Sequence, residues 1–212
     1  MRYIGAIILV LLISGCSFKT PKNQWQHDAN AAAKSFTQNF LQDKQVVAKN
    51  DYKRAISHAK QSANIETLAR IKLTKCALLQ MVSTTTLECK EFSQMKHLID
   101  SKELLAYHAF LQKSLTKEQV QYLQPRYRSF AHAMIAKDSK SATTYALQMK
   151  SVQSLFLSTA MVAPKLSAKE IDAIIEKASY YGYKKIATFW LRQKVLRFND
   201  IQALELLQII EE

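Results

Sequence analysis

Residues 167–199, SAKEIDAIIEKASYYGYKKIATFWLRQKVLRFN, decide the fold class. They open on Ser167-x-x-Glu170, the capping-box pattern. In it a serine hydroxyl and a glutamate carboxylate each satisfy a backbone N–H that the first helical turn leaves unpaired. Ile171, Ile174, Ile175 and Ala178 then recur at the spacing of one helical face. Gly182 follows Tyr180-Tyr181, placed where a residue that takes positive φ stops a helix. A second stripe, Ile186, Phe189, Trp190 and Leu196, resumes at once, with Lys184, Lys185, Arg192 and Lys194 largely off that face. The stretch reads as a hairpin of two helices, 167–181 and 183–198.

Working outward, the same signs recur along most of the chain. Thr85-x-x-Glu88, Thr116-x-x-Gln119 and Asn199-x-x-Gln202 repeat the capping pattern, and Pro125 suits a first helical turn. Ile65, Ala69, Leu73, Cys76 and Gln80 form a further stripe, while strand-like alternation is absent over any useful length. The patterns predict helices over 30–48, 51–62, 65–82, 86–98, 102–113, 117–123, 125–136, 140–161, 167–181, 183–198 and 200–211. Connections of a few residues favour antiparallel neighbours, so the expected class is all-α, built from antiparallel helical hairpins. Glycine usage agrees. A chain of 212 residues has three glycines and three prolines, against about fifteen and ten at ordinary usage. Two of the glycines fall within the first fifteen residues. So little glycine excludes hairpin-rich β folds and the loops that cradle phosphates or dinucleotides.

Alternate helix starts at 51 and 86, 65 and 101, and 167 and 200 approach the 34-residue period of tetratricopeptide helix pairs. In texture residues 51–79, DYKRAISHAKQSANIETLARIKLTKCALL, resemble one such pair, with small alanines where helices would cross. The family's Trp, Leu-Gly and Tyr signature is missing, which leaves a short αα-repeat superhelix and a globular bundle as the two architectures. The last helix is unusual: Ile201, Ala203, Leu204, Leu206, Leu207, Ile209 and Ile210 wrap more than one face. A helix apolar nearly all round is expected to be buried, here by filling the end of the domain, with docking onto a partner as the alternative.

The amino terminus carries the most specific motif. Met1-Arg2-Tyr3 is a charged start, and Ile4–Ile13 is an apolar run about half the length needed to span a bilayer. Ile13-Ser14-Gly15-Cys16 then resembles the lipobox of bacterial lipoproteins. The resemblance implies signal-peptidase recognition through Ile13, Ser14 and Gly15, lipidation of Cys16, and loss of residues 1–15. Three acyl chains would hold the protein to a membrane firmly, since each buried CH₂ adds about 0.8 kcal/mol. Ser17, where the family's inner-membrane signal is an aspartate, implies the outer membrane, facing the periplasm. The expected organisation is a signal peptide (1–15), a lipidated tether (16–29) and one all-helical domain (30–212).

Charge narrows the partners. The chain carries 30 basic and 17 acidic side chains, a net of +13, or +12 once residues 1–15 with Arg2 are gone. An exported lipoprotein rarely meets nucleic acid, which leaves lipid head groups, lipopolysaccharide, peptidoglycan or envelope proteins. The lysines are spread along nearly every helix without a block, as solvated faces are. Two clusters stand out as candidate partner-binding groups: Arg126, Tyr127 and Arg128 after Pro125, and Tyr181, Tyr183, Lys184 and Lys185 around Gly182. Aromatics at these spacings serve a core equally well.

Catalytic patterns are not legible. The five histidines are scattered singly, HExxH and Gly-x-Ser-x-Gly are absent, and nothing implies a metal or cofactor. Cys76 and Cys89 both lie on apolar stripes. An antiparallel turn between them leaves a stagger of roughly 6 Å, at the edge of disulfide reach, with two buried free thiols as the alternative. The expected function is a non-enzymatic, membrane-anchored scaffold or assembly factor that binds envelope proteins. Binding of an anionic envelope polymer, and an enzyme whose site forms only in three dimensions, are the alternatives.

Overall fold

The computed structural model describes residues 23–211, so the lipobox residues Ile13, Ser14, Gly15 and Cys16 lie outside the described residues. Within them the chain is all-helical, with no strand. The helices are α1 (Gln24–Leu41), α2 (Gln45–Gln61), α3 (Ile65–Gln80), the short α4 (Lys90–Ser93), α5 (Lys102–Leu111), α6 (Pro125–Ile135), α7 (Ser139–Leu147), α8 (Val152–Met161), α9 (Ala168–Tyr180), α10 (Lys184–Phe198) and α11 (Ile201–Glu211). Three 3₁₀ turns, Lys96–Leu98, Val120–Tyr122 and Ala163–Lys165, complete the order.

Hairpins are the unit of construction: α1 packs on α2, α6 on α7, α9 on α10, and α10 on α11. In the α9–α10 hairpin the Ser167–Glu170 capping box forms in full, and Gly182 stops α9 at φ 66°. Helix α3 lies at the centre, touching α1, α2, α4, α5 and α8. Helix α10 returns to α1, where Lys185 pairs with Asp43. A linear stack in which each unit touches only its neighbours has no such long-range contacts. The fully buried core includes Phe92, Phe130, Phe156 and Trp190.

Alanines 29, 32, 55 and 59 bring α1 and α2 close. Between them the buried Asp51 carboxylate accepts hydrogen bonds from Ser35 Oγ, Asn39 Nδ2 and Arg54 Nη2, each at 2.7 Å. Desolvation opposes the charge on Asp51, but these donors outweigh it and hold the carboxyl below its ordinary range.

Several boundaries differ from the sequence expectation. The first helix starts at Gln24, inside the expected tether, because Ala29 is fully buried against α2. It stops at Leu41 instead of running through 48, since Asp43 turns left-handed at φ 62° and the Lys44 N–H bonds Asn39 O. The expected helix 140–161 is two, with Ser151 capping α8 through the Ser154 N–H. Asp200, not Asn199, caps α11 by accepting from the Ala203 N–H, while Asn199 ends α10 in the left-handed region.

The expected helix 86–98 is a loop with one short helix, and 117–123 forms only a 3₁₀ turn. Cys76 and Cys89 are joined by a disulfide, their Cα atoms 5.4 Å apart. The bridge anchors the irregular 82–89 segment beside α3. Buried Gln80 completes it, donating to Ser83 O and Thr85 O and accepting from the Leu87 N–H.

Candidate functional site

A groove of about 670 Å³ opens between α1, α3, the first turns of α5, α6 and α8, and residues 121–124. Its base is apolar, with Ile71, Leu73, Leu78, Leu104 and Leu123 buried in the core behind it. Polar groups stand over this base. Ser154 Oγ donates to the Tyr127 hydroxyl at 2.9 Å, and the Tyr107 and Tyr127 rings lie 6.0 Å apart. Burial pushes both phenols above their usual range, so they stay neutral hydroxyls.

Three arginines line the groove and lysine is absent from its lining, in a chain with 23 lysines and seven arginines. They play different parts. Arg128 is structural: its Nε donates to Leu123 O at 3.0 Å and its Nη2 to Gln121 O at 2.7 Å, fixing the 121–124 wall. Arg126 is exposed at the start of α6, hydrogen-bonded to the exposed side-chain oxygen of Gln124 and lying 5.8 Å from the Tyr127 ring. On α3 Arg70 is exposed and makes no side-chain hydrogen bond to another described residue. Glu103 is the one acid of the lining. Its own backbone N–H, the Ser101 hydroxyl and the nearby positive charge of Arg70 keep it ionised below the ordinary carboxyl range.

The sequence expectation thus reached one wall of the groove through Arg126, Tyr127 and Arg128, although Tyr127 itself is a core residue. It missed Arg70, Glu103 and Tyr107, which come from other helices. Arginine scarcity was the available signal, since each arginine in a lysine-rich chain is an exception to the background.

The second cluster divides. Tyr183 is buried, 5.7 Å from the Tyr181 ring and 6.1 Å from Phe156, whereas Tyr181 is exposed and Tyr180 is 83% exposed. Lys185 is spent on Asp43, leaving Lys184 exposed beside it. Lys184 and Lys185 line a small pocket of about 400 Å³ with Asp43, Arg192 and Glu211, whose lining includes neither Tyr181 nor Tyr183.

The terminal helix departs from its expectation. Only Ala203 and Leu207 of α11 are buried, against Leu191, while Ile201 and Ile209 are each 69% exposed and Leu206 is 51%. Leu196 and Phe198 at the end of α10 add to this apolar end. Arg192–Glu211 and Lys194–Asp200 tie the two ends of α11 to α10, while Lys194 also bridges to Asp172 of α9.

Among the described residues no group of three or more His, Cys, Asp or Glu side chains is placed to hold a metal. No described helix is long and apolar enough to cross a membrane. Family models, curated proteins and solved structures yield no match to this chain.

Proposed function

We propose that this protein is a lipid-anchored envelope factor whose helical body binds a segment of a partner protein in the α1–α3–α6 groove. The groove carries the reading: it joins an apolar base, convergent polar groups and two accessible guanidiniums in a cavity of about 670 Å³. Anchoring rests on the lipobox resemblance at Ile13–Cys16. The Cys76–Cys89 disulfide fits an oxidising compartment such as the periplasm. No constellation of nucleophile, base and oxyanion donors accompanies the groove, which favours binding over chemistry.

Site-specific photo-crosslinking in living cells tests this. A photoreactive side chain at Thr74 or Gln121, both lining the groove, is expected to give adducts of one defined mass. The same group at Lys169, which lines a separate pocket, is expected to give none of that mass. Equal adducts from all three positions would remove the groove from the function. For the anchor, Cys16→Ala is expected to abolish acyl labelling, and unchanged labelling would refute lipidation.

A further inference from the structure

We infer that the groove is selective for an acidic peptide segment, with Arg70 of α3 and Arg126 of α6 gripping its carboxylates; this rests on the groove being the partner site. Arginine choice is the first support. The chain uses lysine more than three times as often as arginine, yet the groove takes Arg70, Arg126 and Arg128 and no lysine. A solvated, charge-only surface has no reason for that preference. Guanidinium differs from ammonium in its planar fork of donors, which matches a carboxylate with two parallel hydrogen bonds.

The two open arginines are poised differently from the other described arginines. Arg54 is paired with Asp51, Arg192 with Glu211, and Arg197 with the backbone carbonyls of Ala163 and Leu166. Arg128 is spent on the 121–124 wall. Arg70 is free of side-chain hydrogen bonds to described residues, and the hold of Gln124 on Arg126 is exposed and neutral, so an incoming carboxylate displaces it readily.

Backbone electrostatics act in the same sense. The groove is lined by first-turn residues of three helices: Glu103 and Leu104 of α5, Arg126 and Tyr127 of α6, and Gln153 and Ser154 of α8. No side chain caps the N-terminus of α6. Helix N-termini carry partial positive charge that favours an anion nearby.

A peptide satisfies the remaining lining better than a lipid does. Gln121 already donates to Glu118 O and Thr74 to Arg70 O, whereas Asn30 and Gln153 present amides, and Thr67 a hydroxyl, that make no hydrogen bond to another described residue around the apolar base. An amide both donates and accepts, as a peptide backbone does, whereas an acyl chain would leave these groups without partners. The occupant is therefore a segment with carboxylates spaced between apolar side chains, the carboxylates at the arginines and the apolar groups toward Leu104 and Leu123.

The test uses the full chain extracted in mild detergent and three labelled short peptides, in which leucine alternates with glutamate, glutamine or lysine. Fluorescence anisotropy is expected to show saturable binding of the Glu/Leu peptide alone, weakening as salt rises. R70Q and R126Q are each expected to lower its affinity by about tenfold, and R126K to recover only part of that loss. R192Q, outside the groove, is expected to leave affinity unchanged, and unchanged thermal midpoints would show that the variants fold. Equal binding of the Gln/Leu peptide, or full affinity in R126K, would overturn the acidic selectivity while the groove itself still stood as the partner site. Failure of every peptide, with groove cross-links in cells intact, would overturn the peptide class alone. Arginine-dependent binding of phosphatidylglycerol vesicles without peptide binding would reassign the groove to lipid, and loss of the cross-links would remove the groove reading itself.

Discussion

Two connections in this molecule solve the same problem by opposite means. Between α9 and α10 three residues suffice: Gly182 turns left-handed, its N–H bonds Ser179 O, and the Tyr183 N–H bonds Ala178 O, both at 2.9 Å. Between α3 and α5 the chain spends residues 81–101 with only a four-residue helix and a 3₁₀ turn. That longer connection is held from outside itself. The Cys76–Cys89 bridge and the Gln80 side chain tie it to α3, while Gln112 Nε2 of the α5 end donates to Leu87 O at 2.8 Å. Glu91 accepts from Tyr52 and Lys75, with Lys72 donating to its backbone carbonyl. Desolvation works to raise the Glu91 carboxyl, but those partners prevail and keep it below the ordinary range. Locally encoded turns survive the loss of distant contacts; a clamped loop does not.

Breaking the disulfide should therefore separate the two regions most sharply. The bridge joins residues 13 apart, and its loss through C76S/C89S or reduction is expected to cost about 3 kcal/mol. Thermal unfolding should report a lower midpoint. Hydrogen exchange should show amides of 85–95 opening first while those of 168–198 keep their protection. Uniform loss of protection across both would mean that the loop and the hairpin unfold as one unit.

A next smaller effect is expected from Gln80→Ala, which leaves the Leu87 N–H without its side-chain acceptor and the Thr85 carbonyl with only the Ser83 hydroxyl. Such an orphaned N–H costs about 1–3 kcal/mol when kept from water. Chemical denaturation would measure it, and a change within error would mean that water replaces the glutamine.

This contrast also marks what the sequence made legible. Helix-forming stripes and the Ser167–Glu170 cap act within a few residues, so the all-α class and the α9–α10 hairpin could be read directly. The 82–98 segment misled because Thr85-x-x-Glu88 has the right residues for a cap while the disulfide and Gln80 impose a non-helical path over 82–89. The groove was half visible for the same reason. Arg126, Tyr127 and Arg128 are neighbours in sequence, but Arg70 and Glu103 join them only through the packing of α3 with α5. Helix α11 misled in the other direction, since apolar composition gives no measure of how much partner surface the fold supplies.

Protonation is a milder lever on the clamp. Buried His108 of α5 stacks on Phe92 at 4.7 Å, and desolvation together with the Lys96 charge holds its pKa below 6.5. As pH falls below 6.5 the unfolded chain takes up the proton first, so the contribution of neutral His108 to stability is full above that pH. It is lost as pH falls toward the depressed folded value, with a slope of at most about 1.4 kcal/mol per pH unit. His108→Gln should flatten the stability profile below pH 6.5 and leave its alkaline side unchanged. An unaltered acid limb would assign the pH dependence to other groups.

The smallest effects belong to the locally encoded connections, and here the sign reverses. Among the described residues Ala63, Lys113 and Lys137 also take positive φ, at 54°, 54° and 57°, where glycine is the usual choice. A left-handed alanine or lysine costs roughly 1–2 kcal/mol, while glycine loses about 0.5–1 kcal/mol more backbone entropy on folding. Ala63→Gly and Lys137→Gly, both exposed, should therefore stabilise the protein by about 0.5–1 kcal/mol each. Gly182→Ala should cost a similar amount, because an added Cβ meets nothing within 4 Å and only the backbone term remains. Three urea curves decide the matter. Opposite signs for the two directions would show that these turns are set by backbone preference. A loss in Ala63→Gly would mean that the flanking helices α2 and α3, rather than the residue between them, fix the turn, which would make it kin to the clamped loop after all.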